Sequence, residues 1–274
     1  MLNRIAVTGF SGFIGSNIQD EFIGINLRDT SDFHKLKNCD TVIHLAGLAH
    51  GTYSREDLLN VNLGLTKQIT QKSLEYGVKR LVYVSSINIL NQSDNQESTH
   101  SKRLAVEYLK NIDISSGLEV VVVITPLVYG SNAPGNFGLL KRLIDNTYLL
   151  PFGMVSNKRD FISVQNLVHL LFICASHPCA AGHTFLASEG ETVSTKEFTN
   201  AIAKGLGKKV YQLPIPVRLM RIAGRLLGKS AMIEQLVGNF QVDSSDLRKV
   251  LGWIPPYTME ESMALLKAQD KERK

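Results

Sequence analysis

Apolar residues come first in short unbroken runs and later at helical spacing. Residues 5–8 form a four-residue apolar run that ends in a glycine-rich turn. Residues 41–46, 81–84 and 119–124 are similar runs, the last strongly β-branched. Such runs suit strands buried on both faces. Between them, Leu58, Leu59, Leu63, Leu65, Ile69 and Leu74 fit a helical stripe over 56–76, imperfectly but better than they fit alternation. Gly77 is a plausible stop for that helix, and residues 101–109 read as another. Strands separated by helices predict an α/β fold with a doubly wound parallel sheet.

Beyond Pro126 prolines and glycines become frequent, as the loops of a second region require. Helical patterning returns at 139–146, 164–175, 195–206, 217–227 and 259–268. The short run 185–187 reads as a strand rejoining the main sheet. The expected division is therefore a first domain over 1–125 and a second region mainly over 126–274, with 183–188 returning to the first.

Composition narrows the class. The 274 residues are 44% hydrophobic, 20% charged and 7% aromatic, which excludes a mainly disordered chain. No apolar stretch approaches the ~18 residues of a membrane span. The first apolar run breaks at once into glycines, unlike a signal peptide. Three cysteines (Cys39, Cys174 and Cys179) without a C-x-x-C pair indicate neither a disulfide framework nor a metal site. A reduced, cytoplasmic protein is the expectation. Seven basic residues and no acidic one lie between Lys204 and Lys229; removing that +7 from the +5 total leaves the rest at −2. The basic balance is thus local and does not predict a nucleic-acid partner.

The run Thr8-Gly9-Phe10-Ser11-Gly12-Phe13-Ile14-Gly15 follows a predicted strand and precedes a predicted helix at 16–22. Glycine permits a tight turn and close approach of backbone to a ligand. Exposed N–H groups at a helix start favour a pyrophosphate. The spacing Gly-x-x-Gly-x-x-Gly differs from the G-x-G-x-x-G fingerprint of other dinucleotide folds.

This turn, Asp40 to Gly47, Asn62, Tyr83-Val-Ser-Ser86 and Pro126-Leu-Val-Tyr-Gly130 together resemble the extended short-chain dehydrogenase/reductase family, of the NAD-dependent epimerase/dehydratase type. They occur in that family's order. Gly135-Asn136-Phe137, Arg159 to Val164 and Leu251-Gly-Trp253 extend the resemblance nearly end to end. The chain is most similar to bacterial nucleotide-sugar 4-epimerases and 4-reductases of surface-polysaccharide synthesis. The resemblance implies a Rossmann-type domain binding NAD or NADP and a smaller C-terminal substrate domain. It implies that Gly9, Gly12, Phe13, Ile14 and Gly15 face the cofactor pyrophosphate, with Ala46, Gly47 and Asn62 beside the cofactor. Ser86 falls at the catalytic serine or threonine position, and Lys102 at the lysine that binds nicotinamide ribose and lowers a neighbouring tyrosine's pKa. Asn136 and Arg159 would contact the diphosphate of a nucleotide-activated, UDP-linked sugar, with His50 a further candidate for the sugar pocket. The fixed guanidinium fork of Arg159 suits phosphate oxygens. A homodimer through helices within 56–76 and 98–115 is also implied.

Three departures stand out. The family lysine belongs to Tyr-x-x-x-Lys, yet four residues before Lys102 stands Ser98, and no tyrosine lies between Tyr83 and Tyr108. A serine hydroxyl titrates too high to replace a phenol unaided. His100 offers an imidazole but, two residues from Lys102, faces elsewhere on a helix. The stretch from Gly15 to Asp40 is also short, leaving either Asp29, which favours NAD, or Arg28, which favours NADP, near the adenine ribose. Thr125 stands where the family often has arginine. The resulting expectation is an NAD(P)-dependent 4-epimerase or 4-keto reductase impaired in proton transfer, or else a noncatalytic sensor or scaffold of the same fold. His44, inside an apolar strand, reads as a core histidine. Residues 217–229 read as a solvated basic helix face, with weak membrane-surface contact as the alternative.

Overall fold

The computed structural model describes residues 4–49, 51–91 and 96–271. In chain order its first elements are β1 (Ile5–Thr8), β2 (Ile23–Ile25), β3 (Thr41–His44), α1 (Arg55–Leu59), α2 (Leu65–Glu75), β4 (Arg80–Ser86), α3 (Glu97–Lys110) and β5 (Glu119–Thr125). Then come β6 (Leu127–Tyr129), α4 (Gly135–Asn146), β7 (Leu149–Leu150), β8 (Phe161–Ser163), α5 (Val164–Ser176) and β9 (Thr184–Leu186). The last are α6 (Thr195–Gly205), β10 (Tyr211–Gln212), α7 (Val217–Leu226), α8 (Ser230–Val237), α9 (Ser245–Leu251) and α10 (Met259–Lys271).

These elements form two compact units. The first takes in the described residues up to Pro126 together with Asn166–Ala187 and Ser244–Ile254. Its centre is a six-stranded parallel sheet in the order β2-β1-β3-β4-β5-β9. The strand order reverses between β1 and β3, the place where doubly wound sheets bind ligands at the carboxyl ends of their strands. The apolar runs read from the sequence are these strands: β3 is buried throughout, and Val121 to Ile124 of β5 are at most 2% exposed.

Segments 166–182 and 244–254, grouped with the second region in the sequence reading, belong to the first unit. The reason is topological. A strand can join β5 in parallel only after a crossover of a dozen or more residues, and α5 is that crossover. Arg80 holds its C-terminal end, donating to Cys174 O (3.0 Å) and His177 O (2.9 Å) while pairing with Glu119 (2.6 Å). Trp253 Nε1 donates to His169 Nδ1 (2.9 Å), which ties the 244–254 segment to α5.

The predicted helix at 16–22 is absent. A single 3-10 turn, Gly15–Asn17, gives way to extended backbone at Ile18 (ψ 120°). Chain length explains the difference. Only five residues remain to return along the four-residue β1, about 13 Å at strand rise. A helix of five would cover about 7.5 Å, whereas extended chain covers about 16 Å.

The helix predicted over 56–76 forms, but with a π-helical turn at Asn60–Gly64 between α1 and α2. That turn shifts the phase of the apolar stripe and accounts for its imperfect fit.

The second unit holds two small parallel pairs, β6 with β8 and β7 with β10, and helices α4, α6, α7, α8 and α10. Its core is aromatic: Phe161 and Phe198 stack at 3.7 Å, and Tyr129 meets Phe198 edge-on at 5.6 Å. A capping box between Ser194 and Glu197 starts α6. Asn157 knots the loops by donating to Leu236 O (3.0 Å) and Gly238 O (2.9 Å) and accepting from Thr195 N–H (2.9 Å).

Candidate functional site

The glycine turn leaves β1 at Gly9, whose φ is +68°. A Cβ there would lie 2.6 Å from Ala46 N, and one at Gly15 would lie 2.4 Å from Phe10 Cα. Both positions therefore exclude any side chain for reasons of backbone packing alone. At Gly12 a Cβ would sit 3.2 Å from Gly9 O, tight but without positive φ. The turn closes on itself through Gly12 N–H to Gly9 O (2.9 Å) and Ser16 N–H to Gly12 O (2.8 Å). Among the described residues, no hydrogen bond engages the N–H groups of Phe13 and Ile14. A nest of free amides fits an anion such as a pyrophosphate. The long helix dipole that would reinforce it is missing, because the chain extends after Asn17.

Across the switch point, the loop after β3 is tied down from two sides. Leu45 N–H donates to Thr8 O (3.2 Å). Asn62, in the π turn and 2% exposed, accepts from Leu48 N–H (2.7 Å) and donates to Leu48 O (3.2 Å) and to Ser101 Oγ (2.9 Å). A Cβ on Gly47 would lie 3.1 Å from Asn62 Oδ1. Asn62 thus brackets the Ala46–Gly47 loop to α3, with its amide used by the protein itself. Ser101, the partner in this bracket, carried no signal in the sequence. It is fully buried and donates to Ser98 O (3.1 Å).

Lys102 follows Ser101 on α3. Burial pushes its ammonium below the usual lysine range, and no ion pair or hydrogen bond reaches it among the described residues. Ser86 ends β4, half-buried, its Oγ accepting weakly from Asn88 N–H (3.4 Å). Ser98 and His100 both lie in the first turns of α3. The two nearest phenols in sequence are tuned the wrong way for a proton relay. Burial pushes Tyr83 up to about 12, and it also raises Tyr108, whose ring lies under Lys67. His44 is fully buried between Thr8 Oγ1 (2.6 Å) and Thr66 Oγ1 (3.1 Å), a satisfied core histidine. His50 lies outside the described residues.

Beyond β2, Asp29 accepts from Ser31 N–H (3.0 Å) and Ser31 Oγ (2.7 Å), capping the 3-10 helix Thr30–Asn38. Arg28 has an exposed side chain.

In the second unit, the structure brings Asn136 and Arg159 to one cleft, shared with Gln235, Thr195 and Phe161. Asn136 Nδ2 donates to Gln235 Oε1 (2.7 Å), a residue the sequence did not flag. Arg159 lies over Phe240 (5.5 Å) and Phe161 (6.0 Å) and donates to Gly238 O (3.2 Å). Burial lowers its pKa, and no carboxylate pairs with it among the described residues. A desolvated guanidinium without an internal counter-charge fits an anionic ligand.

Residues 19–187 match the profile of the NAD dependent epimerase/dehydratase family. The chain is 33% identical to a UDP-glucose 4-epimerase of Vibrio cholerae, over 95% of this chain and 93% of the relative. That alignment spans 306 positions, more than the 274 residues here, so the relative carries segments this chain lacks. Among solved structures, WbmF of Bordetella bronchiseptica in complex with NAD+ and UDP is similar at TM-score 0.74 and 17% identity, over 99% of this chain and 92% of that one. RMD of Pseudomonas aeruginosa complexed with NADPH is similar at TM-score 0.70 and 18% identity, over 99% and 100%.

Proposed function

The chain belongs to the NAD dependent epimerase/dehydratase family, and from that premise we propose that it acts on a nucleotide-activated sugar as a 4-epimerase or 4-keto reductase with a weakened proton relay. The observation that carries this reading is Lys102: a half-buried cation whose pKa burial lowers, unpaired among the described residues, beside the Asn62–Ser101 bracket. Leaving a partly desolvated charge without a partner is unfavourable, and an ordered anionic or hydroxyl-bearing ligand relieves that cost. When bound, NAD or NADP supplies a nicotinamide ring able to take up and return a hydride.

The chain's own residues divide the remaining work. The free amides of Phe13 and Ile14 hold pyrophosphate, and Lys102 orients a ribose. Ser86 donates or accepts at the reacting sugar oxygen, while Arg159 and Asn136 hold the nucleotide diphosphate of a UDP-linked sugar. No phenol stands at Ser98, so the proton leaving the sugar hydroxyl lacks its usual acceptor. Positioned acid–base assistance is worth about 10²–10⁴-fold, and turnover is expected to fall short by that order.

A second reading is favoured by the same serine and by the missing helix after the glycine turn. In it the protein keeps cofactor and sugar-nucleotide binding but serves as a sensor or scaffold subunit. Single-turnover reduction of bound NAD(P)+ by UDP-sugars, followed at the nicotinamide absorbance, separates the two. The impaired enzyme is expected to turn over slowly, with Ser98→Tyr faster provided the phenol reaches the Ser86 hydroxyl. Fast wild-type turnover defeats the weakened relay and requires another acid–base group. No turnover with any sugar, despite demonstrated ternary binding, selects the noncatalytic reading.

A further inference from the structure

Helix α7 of the second unit presents three distinct faces. At 3.6 residues per turn, Met220 and Gly224 fall together, and these are its buried residues, with Gly224 packed so closely on Ile233 of α8 that a Cβ would lie 2.7 Å from it. Arg218, Arg221 and Arg225 share a second sector about 60° wide. Leu219, Ile222 and Leu226 share a third of about the same width, and they are 55%, 51% and 83% exposed. Leu227, which ends the helix, is 71% exposed. Isolated exposed leucines need no explanation, but a contiguous stripe beside a row of arginines does.

The charged side chains of α7 itself are all basic. Acidic partners neutralise some of the basic residues: Glu234 holds Arg221 (2.6 Å), Asp145 holds Lys208 (2.7 Å) and Glu260 holds Lys204 (2.7 Å). Lys209, Arg218 and Lys229 make no ion pair among the described residues, and Arg225 has only the more distant field of Glu234. A helix with an apolar stripe, flanking cations and no acidic residue of its own is built to lie in the plane of an anionic bilayer surface. Among the described residues no helix is long and apolar enough to cross a membrane, so such a contact would be peripheral. A second copy of the chain fits this face poorly, because an isologous contact would set two basic rows together. Nucleic acid would leave the leucines unsatisfied.

We infer that α7 docks the protein on an anionic lipid surface, with Leu219, Ile222, Leu226 and Leu227 entering the headgroup boundary and Arg218, Arg225 and Lys229 meeting lipid phosphates. None of these residues belongs to the candidate site, so docking is independent of the proposed chemistry. The test is co-sedimentation of the full chain with vesicles of phosphatidylcholine alone or mixed with phosphatidylglycerol, at low and high salt. Wild type is expected to bind the anionic vesicles at least about tenfold more tightly than the neutral ones, and less at high salt. Leu219→Glu/Leu226→Glu should abolish binding, and Arg218→Glu/Arg225→Glu should weaken it about tenfold or more. All four positions are exposed, so circular dichroism and thermal unfolding should match wild type. The inference is overturned if wild type ignores anionic vesicles, or if a normally folded Leu219→Glu/Leu226→Glu protein binds within about twofold of wild type. Concentration-dependent self-association that the same leucine variant abolishes, without vesicle binding, would likewise overturn it in favour of a second copy.

Discussion

His44 and Lys102 are both basic side chains shielded from water, His44 fully and Lys102 in part, and their surroundings give them opposite meanings. The histidine has a threonine hydroxyl at each ring nitrogen, so its neutral form is satisfied within the protein, and burial pushes its pKa down to about 3. The lysine has no such partner among the described residues, which is the gap the proposed ligand would fill. The His44 environment makes a stability prediction. In the unfolded chain the ring takes up a proton below about 6.5, while the folded ring resists until about 3. The unfolded state therefore binds more protons across that window, so stability is full above it and falls as pH falls, by up to about 1.4 kcal/mol per unit from this group. Denaturant titrations between pH 7 and about 3 should show that slope in wild type and lose it in His44→Asn. An unchanged slope in a folded variant would mean that the ring is already charged in the native strand.

At the level of elements, what the sequence made legible was whatever local pattern controls. The β-branched run 119–124 became β5, and the glycine spacing became a turn whose Gly9 and Gly15 admit no Cβ. The helix at 16–22 failed because its fate depends on the distance back to the start of β2, a tertiary constraint that no propensity records. The π turn was visible only as a flawed stripe, and the Asn62–Ser101 bracket joins residues 39 apart in sequence without any motif. Strands as short as β6, β7 and β10 lie below the length at which alternation can be read. The shortened turn has a functional consequence. With no long helix behind it, the proposed anion binding would rest on a few free amides, so the backbone there has little reserve. Gly12→Val, which sets a branched side chain against Gly9 O in the turn that carries the Phe13 and Ile14 amides, is expected to lower NAD(H) and NADP(H) affinity at least about tenfold, or about 1.4 kcal/mol. Calorimetry on the folded variant checks this, and unchanged affinity would place the pyrophosphate elsewhere.

At the scale of the whole molecule, the open question is what covers the outer side of α1–α2 and α3. Leu74 is 38% exposed, and Leu63, Leu104 and Tyr108 remain half-buried, although both helices pack on the sheet with their other faces. Two helices from each of two protomers, related by a twofold axis, would bury these residues in a four-helix contact. The expected species is a homodimer of twice the 30.3 kDa chain mass at micromolar concentration. Leu74→Arg should shift it toward monomer without lowering the unfolding temperature of the isolated chain, since Leu74 already stands in solvent. Sedimentation equilibrium decides: a monomer mass independent of concentration rejects the dimer, and a dimer indifferent to Leu74→Arg moves the interface to another face. The result also bears on the site, because α3 carries Ser98, Ser101 and Lys102. Dimerisation would stiffen the helix on which Lys102 is held, so dilution below the dimer's dissociation constant should weaken cofactor binding in step with loss of the dimer. Cofactor affinity that stays constant across that dissociation would show that the Asn62–Ser101 bracket holds Lys102 in place within one protomer.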